Sequence, residues 1–114
     1  MSMEPRKIQD LLSVLCAKPL TGLTDGGIHG CYVGDLLSDV LANAKPDALW
    51  ITIQTHRNVV SVASMKDMAA VLFASGRKPD TAVIAEAEEE GIVLLATPLS
   101  PYEAAGKLWE EGIR

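Results

Sequence analysis

Three short polar loops hold the residues of this chain that could do chemistry. They are Thr55-His56-Arg57-Asn58, Ser75-Gly76-Arg77-Lys78-Pro79-Asp80 and Thr97-Pro98-Leu99-Ser100. Each follows an apolar run of strand length and opens a helical pattern. If the strands are parallel neighbours, all three loops lie along one edge of the sheet, outside the carboxyl ends, where open α/β sheets bind ligands. Arg57, Arg77 and Lys78 stand near expected helix N-termini, whose unpaired N–H groups already favour anions. The chemistry such a set offers is recognition of a phosphate or carboxylate. Arg57, Gly76, Arg77 and Lys78 are the principal expected contacts, Thr55, His56 and Thr97 are secondary, and Asn58 and Ser75 complete the ligand-binding set. Taken singly, each cation also reads as an ordinary solvated loop charge, and Gly76 as a residue that merely permits positive φ. Expected convergence is what favours a site.

Catalysis is not expected. His56 has no carboxylate or nucleophile beside it in sequence, which suits a structural or contact role better than general base. His29, beside Gly30, reads as incidental. Asp35 and Asp39 are four apart on one expected helix, Asp35 as its cap and Asp39 facing solvent or a partner subunit. The P-loop pattern is absent, since the Gly106-Lys107 pair is followed by Leu108, and there is no dinucleotide fingerprint, nucleophile elbow or His-Glu-x-x-His pair. Cys16 and Cys31 have no second Cys or His at ligand spacing, so neither metal nor cofactor is expected. Both thiols read as buried and inert.

The elements that must position the loops alternate. Ile8, Leu11, Leu12 and Leu15 mark an amphipathic helix starting near Pro5. Pro19 limits Leu20-Thr21-Gly22 to a short edge strand, and Asp25-Gly26-Gly27 reads as a turn. A strand is expected over Ile28 to Val33 and a helix over Leu36 to Ala44, stopped by Lys45-Pro46. The strands Ala48 to Ile53, Ala70 to Ala74 and Ile92 to Ala96 are continuously apolar, as in a parallel sheet covered on both faces. Asn58 is the expected N-cap of a helix to about Met68. Pro79 and Asp80 introduce a helix ending at Gly91. Ser100, Pro101 and Glu103 form a capping box at the start of the last helix.

With 114 residues, 48% hydrophobic content and 4% aromatic content, the chain reads as one domain with an aliphatic core. A net charge of −5 without a basic cluster argues against nucleic acid. The run Glu86-Ala87-Glu88-Glu89-Glu90 reads as a solvated helix face. No basic-then-apolar leader and no run of about 20 apolar residues is present, so a cytoplasmic location without membrane contact is expected.

Three segments resemble a known family: Tyr32 through Ala44, Trp50 through His56, and Gly76 through Asp80. They are similar to a stand-alone DRTGG domain, over about residues 6 to 113. The naming Asp-Arg pair falls on His56-Arg57, and the Thr-Gly-Gly segment on Ser75-Gly76-Arg77. Related domains accompany phosphotransacetylases and regulated pyrophosphatases, and resemble the N-terminal domain of HPr kinase/phosphorylase. The resemblance implies one α/β domain over 1–114, three-layered, with a mainly parallel sheet and alternating helices. It implies a regulatory or ligand-sensing role without catalysis, a small anionic ligand such as a nucleotide, and a homodimer. The alternative is an oligomerisation or adaptor module acting through protein partners, in a redox or hydrogenase context, with no small ligand.

Overall fold

The computed structural model describes residues 6–24 and 26–114. Pro5, the expected helix start, and Asp25 of the expected turn lie outside them. The elements are β1 (Arg6–Lys7), α1 (Ile8–Leu11), β2 (Lys18–Pro19), β3 (Gly27–Ile28), β4 (Cys31–Val33), α2 (Leu37–Asn43), β5 (Leu49–Thr52), α3 (Asn58–Met65), β6 (Ala70–Phe73), α4 (Thr81–Glu90), β7 (Leu94–Ala96) and α5 (Pro101–Glu110).

The main sheet has five strands in the order β2-β7-β6-β5-β4. β4 to β7 are parallel, and β2 joins antiparallel at the outer side of β7. Side chains alternate with the pleat. Leu49 and Ile51 of β5 and Leu72 of β6 pack with Ile8, Leu11, Leu15 and with Ala104 and Leu108 of α5. Trp50, Val71 and Phe73 pack on the other face with Val40 of α2, Val59, Val60 and Ala63 of α3, and Ala87 of α4. Strands in sequential order with right-handed crossovers must carry all their connecting helices on one face. The expected three-layer α/β fold is therefore the observed one.

Local signals explain most element ends. The Ser100 hydroxyl accepts from the Glu103 N–H at 3.1 Å, and the Ser100 N–H donates to Oε1 of Glu103 at 3.1 Å. These hydrogen bonds hold the Glu103 carboxyl below its ordinary range. Gly91 ends α4 at φ +72°, in the left-handed region. The edge strand is Lys18–Pro19, with Pro19 opposite Leu95, and not the expected Leu20-Thr21-Gly22, which follows it.

Several expectations are corrected. The strand over Ile28 to Val33 is two strands in different sheets, because Gly30 at φ +93° breaks the run. β3 pairs antiparallel with β1, while β4 joins the main sheet. Asp35 does not cap α2, whose N-cap is Leu36 without a side-chain bond. Its Oδ1 instead accepts from the Thr52 hydroxyl at 2.7 Å and the Ile53 N–H at 2.9 Å, tying the end of β4 to that of β5. The first helix is one turn, yet Ile8, Leu11 and Leu15 all reach the core. Cys16 is exposed rather than buried. Cys31 is partly covered, and burial pushes its thiol up to about 12, so it stays protonated at neutral pH. The acidic run of α4 is not simply solvated. Glu86 pairs with Arg57, and both oxygens of Glu88 accept the Gly22 N–H at 3.1 Å.

Candidate functional site

The loops after β5, β6 and β7 do share the carboxyl edge of the parallel strands, as their common direction requires. They do not converge on one hollow.

The first hollow, of about 500 Å³, lies between the loop after β5 and the first turns of α4. Thr55, His56, Arg57, Asp80, Ala82, Val83 and Glu86 line it. Its turn is held by its own side chains. Oε1 of Gln54 accepts from the His56 N–H at 3.2 Å, and Nδ1 of His56 accepts from the Asn58 N–H at 3.1 Å. The imidazole thus satisfies the donor at the start of α3, a task expected of Asn58. Asn58 is the first helical residue and makes no cap bond, because Arg57 before it is already helical at φ −55°. An Nδ1 that accepts leaves the proton on Nε2. Arg57 reaches Glu86 at 3.1 Å. With Asp80 also in the lining, the single cation here faces two carboxylates.

The second hollow, of about 340 Å³, is lined by Cys16, Lys18, Leu20, Gly76, Lys78, Ala96, Thr97 and Pro98. Two lysines and no carboxylate residue line it. Its position follows from chain direction. The loop after β6 turns to α4 on one face, and the loop after β7 turns to α5 on the other. Adjacent parallel strands whose connections leave to opposite faces open a crevice between them.

The turn at its rim is unusual. Ser75 at φ +58° and Gly76 at φ +73° are both left-handed. Ser75, an L residue with a side chain, bears a conformation that glycine adopts more readily. Hydrogen bonds enforce it: the N–H groups of Ser75, Gly76 and Arg77 donate to the carbonyls of Leu99 (2.7 Å), Thr97 (3.0 Å) and Ala74 (3.1 Å). All three donors are spent, so this loop cannot cradle an anion with its backbone as a phosphate-binding nest does. Any anion must be held by side chains. The Thr97 hydroxyl is spent too, donating to the Leu15 carbonyl at 2.6 Å and accepting from the Leu99 N–H at 3.1 Å. Arg77 is exposed and lines neither hollow.

Lys18 is the residue that sequence reasoning missed. Its signal was the Lys-Pro pair of an edge strand, but the pairing of β2 with β7, which carries the lysine to this edge, spans most of the chain. Among the described residues no group of three or more His, Cys, Asp or Glu could hold a metal, and no helix is long and apolar enough to cross a membrane.

No protein-family model matches the sequence. No curated protein matches it either. A solved structure does resemble it. This structure holds the CBS and DRTGG domains of the regulatory region of Clostridium perfringens pyrophosphatase, complexed with the activator diadenosine tetraphosphate. The likeness has a TM-score of 0.71 at 13% sequence identity, over 90% of this chain and 45% of that one. The fold is shared. The chain spans less than half the length of that regulatory region.

Proposed function

We propose that this chain is a non-catalytic, ligand-sensing regulatory domain, a single DRTGG-like unit over residues 1–114. In this reading it is cytoplasmic, works as a homodimer and binds a small anionic ligand such as a nucleotide. The observation that carries it is the pairing of Lys18 and Lys78 in a hollow without carboxylates, at the carboxyl edge of an otherwise acidic protein. The activator in the pyrophosphatase structure is a phosphate-rich nucleotide, which supports the ligand class. Lys78 and Lys18 would meet the charge, with Arg77 adding to the local potential. Thr55, His56 and Arg57 would form a separate contact surface across the loop that carries Asp80.

A second reading, an adaptor working through protein partners, is favoured by the exposed Tyr102 and Trp109. They lie seven residues apart, hence on one face of α5.

A thermal-shift series with ATP, GTP, diadenosine tetraphosphate, acetyl phosphate, pyrophosphate and sulfate separates the two. A ligand of the native state alone adds about 2.7 kcal/mol at a hundredfold excess over its Kd. At least one phosphorylated compound should raise the melting temperature. The Lys18→Ala/Lys78→Ala double variant should abolish the rise, and Arg57→Ala should leave most of it. A flat series at millimolar concentration rejects ligand sensing and leaves the adaptor reading.

A further inference from the structure

The lysine hollow has a floor as well as a charge. β2 runs antiparallel to β7 with Lys18 opposite Ala96, and the Leu20 N–H donates to the Leu94 carbonyl at 2.8 Å. Residues opposite each other across such a pair, and alternate residues along either strand, point to one face of a sheet. Lys18, Leu20, Leu94 and Ala96 therefore share a face. It is the face of α2, α3 and α4, because Leu94 is buried among their side chains and Leu20 packs half-buried against them. Leu94 fills its position. Ala96, the next residue of β7 on that face, has a single methyl group and is half-buried. The small side chain leaves room, and Ala96 lines the hollow of about 340 Å³, a volume near the lower end for ligand pockets.

The polar groups around that floor are few. Leu20, Ala96 and Pro98 present hydrocarbon, and the lysine stems add more. The Thr97 hydroxyl is committed to Leu15 and Leu99, the Gly76 N–H is committed to the Thr97 carbonyl, and Pro98 has no N–H. The lining holds no Asn, Gln, Ser, Asp or Glu whose side chain could read the hydrogen-bonding edge of a nucleobase. Among the described residues neither lysine is in an ion pair. What is left for a ligand is Lys18, Lys78 and the Cys16 thiol, a weak donor.

We infer that the hollow takes an anionic amphiphile: a free, short-chain organic phosphate or carboxylate whose charge meets Lys18 and Lys78 and whose hydrocarbon part lies on Leu20 and Ala96. This ligand class rests on the lysine hollow of the proposed function and makes its ligand specific. Exposed lysines attract any anion weakly in water. Selection therefore comes from the hydrocarbon part, which leaves water on binding. A nucleotide would be held here by its phosphates alone, with its base unread.

Alkyl phosphates test this. From inorganic phosphate through ethyl and butyl to hexyl phosphate, affinity should rise by up to about fourfold per methylene, the ratio that 0.8 kcal/mol represents, until the chain outgrows the hollow. ATP and GTP should bind within about threefold of each other, since no side chain distinguishes them. Cys16, exposed and in the lining, reports the place of binding. Iodoacetamide should alkylate it more slowly when hexyl phosphate is bound, while Cys31, partly covered and protonated, stays unmodified. Ala96→Leu should keep the affinity for ethyl phosphate and lose the gain with chain length. Vesicles of phosphatidylcholine and phosphatidic acid should not sediment the chain. Phosphates that bind without dependence on chain length, a base preference above about tenfold, or an unshielded Cys16 overturn this ligand class and leave the sensing reading standing. Sedimentation with the vesicles, without binding of free hexyl phosphate, overturns it in favour of a lipid headgroup. A series in which nothing binds, hexyl phosphate included, overturns both. If Ala96→Leu fails to fold, the chain-length series and the shielding of Cys16 in the parent chain decide.

Discussion

Trp50→Ala will lower the stability of this protein by about 3–5 kcal/mol, the usual cost of truncating a large buried aromatic. Trp50 is fully buried in β5 and fills the space between the sheet and the helices α2 and α3, against Val40, Val59, Val60 and Ala63. It also carries a polar task, since its indole N–H donates to the Gly34 carbonyl at 2.8 Å. That bond fixes the backbone where β4 ends and the approach to α2 begins. Small domains have about 5–15 kcal/mol in total, so the variant should be partly unfolded at physiological temperature. Trp50→Phe keeps most of the apolar area but leaves the carbonyl unmet, costing about 1–3 kcal/mol. Denaturant unfolding followed by far-ultraviolet circular dichroism measures both. A loss under about 1 kcal/mol for the alanine variant would mean that the layer collapses around the gap, contrary to close packing.

Thr97→Val should be costly without touching ligand affinity. The hydroxyl is buried and joins the turn after α1 to the loop after β7, through the Leu15 carbonyl and the Leu99 N–H. Valine has nearly the same shape and leaves both groups unpaired, at about 1–3 kcal/mol for each buried group. Thr97→Ser should recover most of the loss. Because the hydroxyl has no capacity left for an anion, the folded Thr97→Val variant should bind the best phosphorylated compound within about twofold of the parent, well inside the tenfold that 1.4 kcal/mol represents. A large affinity loss with unchanged stability would reverse this assignment and make Thr97 a ligand contact.

How much was legible in the sequence depended on the distance over which each residue acts. The capping box at Ser100, the left-handed stop at Gly91 and the three buried strands β5, β6 and β7 are local facts, governed by backbone chemistry within a few residues. The three-layer fold follows from them and from the handedness of crossovers. Longer-range choices were not legible. Asp35 has the composition of a cap, but Thr52 and Ile53 on the neighbouring strand offer it two donors. Asn58 was displaced because the preceding Arg57 is already helical, so the cap bond passed to His56. Ile28 to Val33 looks like one apolar strand until Gly30 takes a positive φ. The edge holding the candidate loops was correctly located by strand direction. Its division into two hollows depends on Glu86 taking Arg57 and on β2 delivering Lys18, and neither partner is near in sequence.

β5, β6 and β7 each lie against the strand made just before them. β2 in the same sheet does not: its neighbour is β7, and the Leu20 N–H donates to the Leu94 carbonyl at 2.8 Å. Arg6 is likewise clasped by Glu111 at 2.8 Å. During synthesis, Ile8, Leu11 and Leu15 therefore emerge before, and must wait uncovered for, partners that lie far later in the chain. The central strands can zip up in the order of their appearance, while this segment is sealed only once β7 is in place. Pulsed hydrogen exchange during refolding should find the amides of Val71 and Leu72 protected before that of Leu20. The opposite order would show that the first segment docks onto an unfinished sheet.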